Sequence, residues 1–172
     1  MFEVIGLIEV YLRMLDGGYF EIGEAFKGLA NENVWKRPAE GLLSVGEIAG
    51  HIAYWEALRF AGEGEDLASC RVSSPLIDVR FRYYTSSITT SPSDKHLAMT
   101  AQQVYQELLR VHTESVACIK ALNPDMESTP TGQLPGGFTY GSQFEYMVFH
   151  IGYHTGQMYS VRHLLGEKTP DN

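Results

Sequence analysis

The chain has 172 residues, 44% of them apolar and 20% charged, which suits one globular domain with a substantial core and argues against extended disorder. Thirteen Lys and Arg against twenty-one Asp and Glu leave a formal charge of −8, which repels phosphate backbones and anionic headgroups and argues against nucleic acid or membrane partners. No stretch reaches the roughly eighteen uninterrupted apolar residues of a spanning helix, and the N-terminal run has acids where a signal peptide would be basic, so a cytoplasmic protein is expected.

Val4, Leu7, Ile8, Tyr11, Leu12 and Leu15, then Tyr19, Ile22 and Phe26, recur near the 3.6-residue period and predict a first helix from Phe2 to about Leu29. Gly17 and Gly18 interrupt it, each costing about 1 kcal/mol relative to Ala, so a bend or break is expected there. Ser44-Val-Gly-Glu47 is a capping box that opens a second helix running to about Ala61. Its small residues Gly46, Gly50, Ala53 and Ala57 predict close approach of another helix, with His51 turned inward beside them. Residues from about 63 to 99 lack a strong period and contain Gly64, Pro75 and Pro92; a short helix fits Leu76 to Tyr84. Such an insert is expected across one end of the fold as a lid or binding loop.

Thr100-Ala-Gln-Gln103 is a second capping box and opens a third helix from Ala101 to Leu122. A loop with Pro124, Pro130, Pro135 and Gly136-Gly137 leads through Tyr140-Gly-Ser142 into a fourth helix, Phe144 to Leu165, closed by Gly166. Four long helices and no credible strand predict an all-α four-helix bundle, one domain over residues 1–172 with its insert at about 63–99. Cys70 and Cys118 lack a CxxC or a Cys/His cluster and read as free thiols.

His150 and His154 lie four residues apart on the fourth helix, about 6 Å of rise and about 40° of rotation, so they project from one face. With His51 they make three neutral nitrogen donors, a set suited to a divalent ion and leaving coordination positions open for a water or a substrate. Gln157 borders the same spot, where it either donates to a metal-bound water or substrate or bonds a neighbouring helix, and Glu47, one turn before His51, either serves only as the capping-box acid or orients an imidazole. His163 falls about 180° around the helix from His154 and faces away. His96 sits in the polar insert, where a solvated ring is the default. His112 borders the apolar face of the third helix and is the substitute ligand if one is needed. No nucleophilic triad, phosphate-binding glycine loop or paired-carboxylate site is visible, so no catalytic side chain is assigned.

These pieces resemble the DinB family of damage-inducible four-helix proteins. The resemblance rests on Ser44-Val-Gly-Glu-Ile-Ala-Gly-His51, with Trp55 four residues on, on His150-Ile-Gly-Tyr-His154-Thr-Gly-Gln157 followed by Met158, and on Trp35 and Pro38 before the second helix. It implies His51, His150 and His154 as metal ligands; the three-nitrogen donor set puts zinc foremost, with nickel, iron or manganese as alternatives. It also implies a homodimer and a metal-dependent enzyme of the thiol S-transferase or hydrolase type, acting on a small molecule with a low-molecular-weight thiol. The other function expected is a non-catalytic stress-response or binding protein whose metal site only ties helices together. The insert and the paired glycines depart from the family pattern and bear on the pocket wall.

Overall fold

The computed structural model describes residues 6–83, 90–132 and 137–170. The expected helix start at Phe2, and Tyr84, Pro135 and Gly136, lie outside the described residues. The elements are α1 (Leu7–Phe26), α2 (Val45–Ala61), a short α3 (Asp94–Leu97), α4 (Ala101–Leu122) and α5 (Tyr140–Leu164), with 3₁₀ turns at Leu67–Ser69 and Val79–Phe81. No strand occurs among the described residues, and no helix is long and apolar enough to cross a membrane. In α2 and α4 both predicted capping boxes close: Ser44 with Glu47 and Thr100 with Gln103 satisfy each other's orphan amides. Helix α5 starts earlier than its apolar period suggests because Thr139 caps it, accepting from the Ser142 amide. It ends where Gly166 takes φ 79°, its amide and that of Glu167 closing onto the carbonyls of His163 and Arg162.

Helix α2 packs on α4 and α5, and α1 packs on the same two, so the long helices close a ring in the order α1, α4, α2, α5. Leu15, Ile22, Ile52, Leu108, Phe144 and Met158 meet in the centre, each burial contributing about 1.5–3 kcal/mol. Helix α1 does not break at its glycines. A Cβ on Gly18 would stand 2.7 Å from Ile151 Cγ2, so close packing on α5 offsets the propensity cost. The two glycines of the small stripe of α2 serve differently from expectation, while α2 does pack closely on α4. Gly46 receives the Trp35 ring and Gly50 the Phe81 ring, so the notches admit aromatic side chains from the flanking segments.

That seating organises the insert. Trp35 Nε1 donates to the Met99 carbonyl at 3.0 Å, and Phe81 packs with Tyr54, Trp55 and Leu58 in a smaller apolar cluster. His96 is buried here, not solvated: Nδ1 accepts from the Ser93 amide at 3.0 Å and Nε2 donates to the Pro75 carbonyl at 2.8 Å. The insert is therefore pinned along α2. At the far end Arg162, 1% exposed, donates to the Ala25, Lys27 and Lys168 carbonyls and to Glu167, joining the C-terminal turns of α1 and α5. Cys70 and Cys118 are unjoined.

Three helices share one buried polar knot. Glu56 of α2, fully buried, accepts from the Tyr19 hydroxyl of α1 and from His112 Nδ1 of α4 at 2.5 Å, and the Tyr19 and His112 rings stack at 3.7 Å. Burial disfavours the charged imidazole, but the Glu56 bond and charge, with Asp16 at the rim, outweigh it and raise the His112 pKa. This contribution to stability is full below the unfolded value near 6.5 and is lost as pH rises through the folded one. Removing the cation strands a buried carboxylate, so His112→Ala is expected to lower unfolding free energy by roughly 3 kcal/mol in urea titrations near neutral pH. A loss below about 1 kcal/mol would rank the pair with exposed ion pairs.

Candidate metal centre

His150 and His154 share one face of α5, and the α2–α5 contact brings His51 up to them. Nε2 of His150 lies 3.1 Å from Nε2 of His51 and 3.1 Å from Nε2 of His154, and all three residues are buried. One ring nitrogen from each stands within 4.8 Å of the other two.

The outer nitrogens decide where the protons are. His51 Nδ1 lies 2.7 Å from the Phe81 carbonyl oxygen, and His154 Nδ1 lies 2.6 Å from Gln157 Oε1. Both partners only accept, so both Nδ1 atoms carry hydrogen and both Nε2 atoms present lone pairs to the common point. Gln157 is held in turn by donating from Nε2 to the Tyr153 hydroxyl at 3.1 Å. His150 Nδ1 is buried without a hydrogen-bond partner. A proton on His150 Nε2 can serve one neighbour at a time and leaves the other lone pair opposed. One cation satisfies all three. Nitrogens bound to zinc at about 2.0–2.1 Å with near-tetrahedral angles stand about 3.3 Å apart. Two of the three separations, both 3.1 Å, are near that value, and the third pair lies within 4.8 Å.

The structure brings His51, His150 and His154 together, and Gln157, expected to donate to a water or substrate or to bond a neighbouring helix, instead accepts from His154. Glu47 does not orient an imidazole. Its buried carboxylate is held by Arg37, by the Ser44 amide and hydroxyl, and by the Tyr83 hydroxyl at 3.3 Å. The role belongs to the Phe81 carbonyl, a main-chain atom of the insert that no sequence motif marks. Glu47 still supports the wall, because the Tyr83 ring it anchors stands 5.8 Å from the His51 ring. Tyr83 adopts φ 38°, an uncommon conformation for a bulky residue and a local strain beside the site. His112 is committed to Glu56 and is no substitute ligand. His163 is exposed, near Thr169 Oγ1 at 2.9 Å, and lies away from the cluster as predicted.

A cavity of about 360 Å³ opens beside the cluster, lined by His51, His150, Trp55, Tyr83, Arg59 and Tyr146 among others. Convergent nitrogens on adjacent helices with open space beside them define an all-α protein whose site is suited to a single divalent ion. The sequence matches the DinB superfamily over residues 20–158, most of its length and all three histidines included, and the chain belongs to that family. No curated protein matches it.

Burial, then the neighbouring rings, push His150 down to about 2 and His154 to about 4, and burial lowers His51. The unfolded chain therefore binds more protons than the folded one below its ordinary value of 6.5. In the metal-free protein this term is flat above that value and costs stability as pH falls through 6.5 toward 4. The urea midpoint is expected to fall between pH ~6.5 and ~5, with a smaller slope in His150→Leu. Equal slopes in the two proteins would show that the cluster takes up protons freely.

Proposed function

We propose that the chain binds one first-row divalent ion, zinc foremost, through His51, His150 and His154, and uses it in transfer or hydrolysis on a small molecule. The observation that carries this reading is the convergence of three Nε2 atoms, with the Nδ1 protons of His51 and His154 held outward by carbonyl oxygens and His150 Nδ1 left without a partner. A bound ion supplies Lewis acidity, lowering the pKa of a coordinated water or thiol so that its conjugate base is available near neutral pH. The protein's own groups do the rest. Phe81 and Gln157 keep His51 and His154 in the donor tautomer, Trp55 and Tyr146 wall the space beside them, and the cavity admits a substrate. That space beside His51 and His150 favours chemistry over a sealed structural site. A low-molecular-weight thiol is the proposed nucleophile, since a soft donor suits these metals.

Protein purified without metal columns and dialysed against zinc is expected to hold about one ion per chain by elemental analysis. His51→Ala and His154→Ala should lose it along with the metal-dependent rise in melting temperature, whereas His163→Ala should keep both. Equal metal affinity in all four proteins would reject the site. Gln157→Leu removes only the acceptor on His154 and is expected to weaken zinc binding by about 10–100-fold in competition titrations, with the fold intact. An unchanged affinity would make Gln157 a packing residue.

A further inference from the structure

We infer that Arg59 anchors an anionic group of the substrate, and that the substrate is a small planar molecule with a carboxylate at one end and its metal-seeking atom at the other. The inference rests on the metal reading above and adds the substrate class. Every residue of α2 except Arg59 is buried. Arg59 follows His51 and Trp55 at successive four-residue steps, so the three share one face, and helical side chains lean toward the N-terminus, here toward His51. Its guanidinium lies 5.3 Å from the Trp55 ring centre and 5.8 Å from that of Phe138. A cation held over two rings in this way makes no hydrogen bond to them, so its N–H groups can serve a bidentate acceptor.

The cavity holds two guanidiniums, and their commitments differ. Arg82 is paired with Glu65 at 2.6 Å. Arg59 has no carboxylate partner among the described residues. A cation left uncompensated in a cavity of a chain with net charge −8 runs against the overall balance and makes a local anion trap. The other walls, Trp55, Tyr83, Phe138 and Tyr146, are flat aromatic surfaces that suit a conjugated or aromatic body between the two polar ends.

The test uses cobalt-loaded full-length protein and two rigid thiols of equal shape, 4-mercaptobenzoate and its neutral counterpart 4-mercaptobenzamide. Binding is read from the sulfur-to-cobalt absorption. The carboxylate is expected to bind wild type at least about tenfold more tightly than the amide, the usual scale of a charge-assisted hydrogen bond. Arg59→Gln should bring the ratio to about one by weakening the carboxylate alone, and Arg82→Gln should leave the ratio standing. Equal affinities in wild type, or a preference that survives Arg59→Gln or disappears in Arg82→Gln, would overturn the assignment while leaving the metal reading in place. Failure of cobalt to bind at all would overturn the metal reading and this inference together.

Discussion

Three imidazoles can meet at one buried point only if none is charged and their lone pairs share the space. Two imidazolium rings at 3.1 Å would repel strongly with little water to screen them, and two N–H groups aimed at each other would clash. The arrangement therefore depends on acceptors at the outer edges of the rings. One is the side chain of Gln157, a turn along the same helix as His154. The other is the Phe81 carbonyl, which must be carried to His51 by a segment distant in sequence. That segment is seated by the Phe81 ring in the Gly50 notch and by Trp55 Nε1, which donates to the Arg82 carbonyl at 3.0 Å. Local backbone choices on α2 and in the insert are thus tied to the protonation state of the centre.

Helix α2 carries this dependence because it is enclosed on nearly every side. A helix in that position is ordinarily apolar throughout, yet this one buries Glu47, His51 and Glu56. Each is tolerated because another element brings a partner: Arg37 from the preceding connection, Phe81 from the insert, Tyr19 and His112 from α1 and α4. The polar groups of α2 therefore set the register of every segment packed against it. Misplacing one neighbour would strand a charge or an unpaired nitrogen in the core.

What could be read in the sequence follows from which interactions are local. Ser44 with Glu47, Thr100 with Gln103, and His150 with His154 lie within one helical turn of each other, so spacing alone predicts their contact. The fold class follows from the same periodicity. Gly17 and Gly18 mislead because propensity is local while the reason for Gly18 is Ile151, far along the chain on α5. Gly46 and Gly50 show the need for close approach but not what approaches. His96 reads as solvated because the polarity of its segment hides its burial against Trp35 and Phe81. Arg59 was legible in principle, standing two helical steps beyond His51, but nothing in the sequence says that acids would be missing around it.

The Phe81 carbonyl has a consequence for how such a centre is inherited. A main-chain oxygen has no codon of its own, so every residue type at position 81 supplies the same acceptor and substitution there deletes only the ring. An alanine scan would score that position for packing and remain blind to its hydrogen bond with His51. Only insertions, deletions or a rerouted path between α2 and α4 remove the acceptor. Length changes in this stretch, rather than point changes, are therefore where lineages of the fold would gain or lose a working donor set.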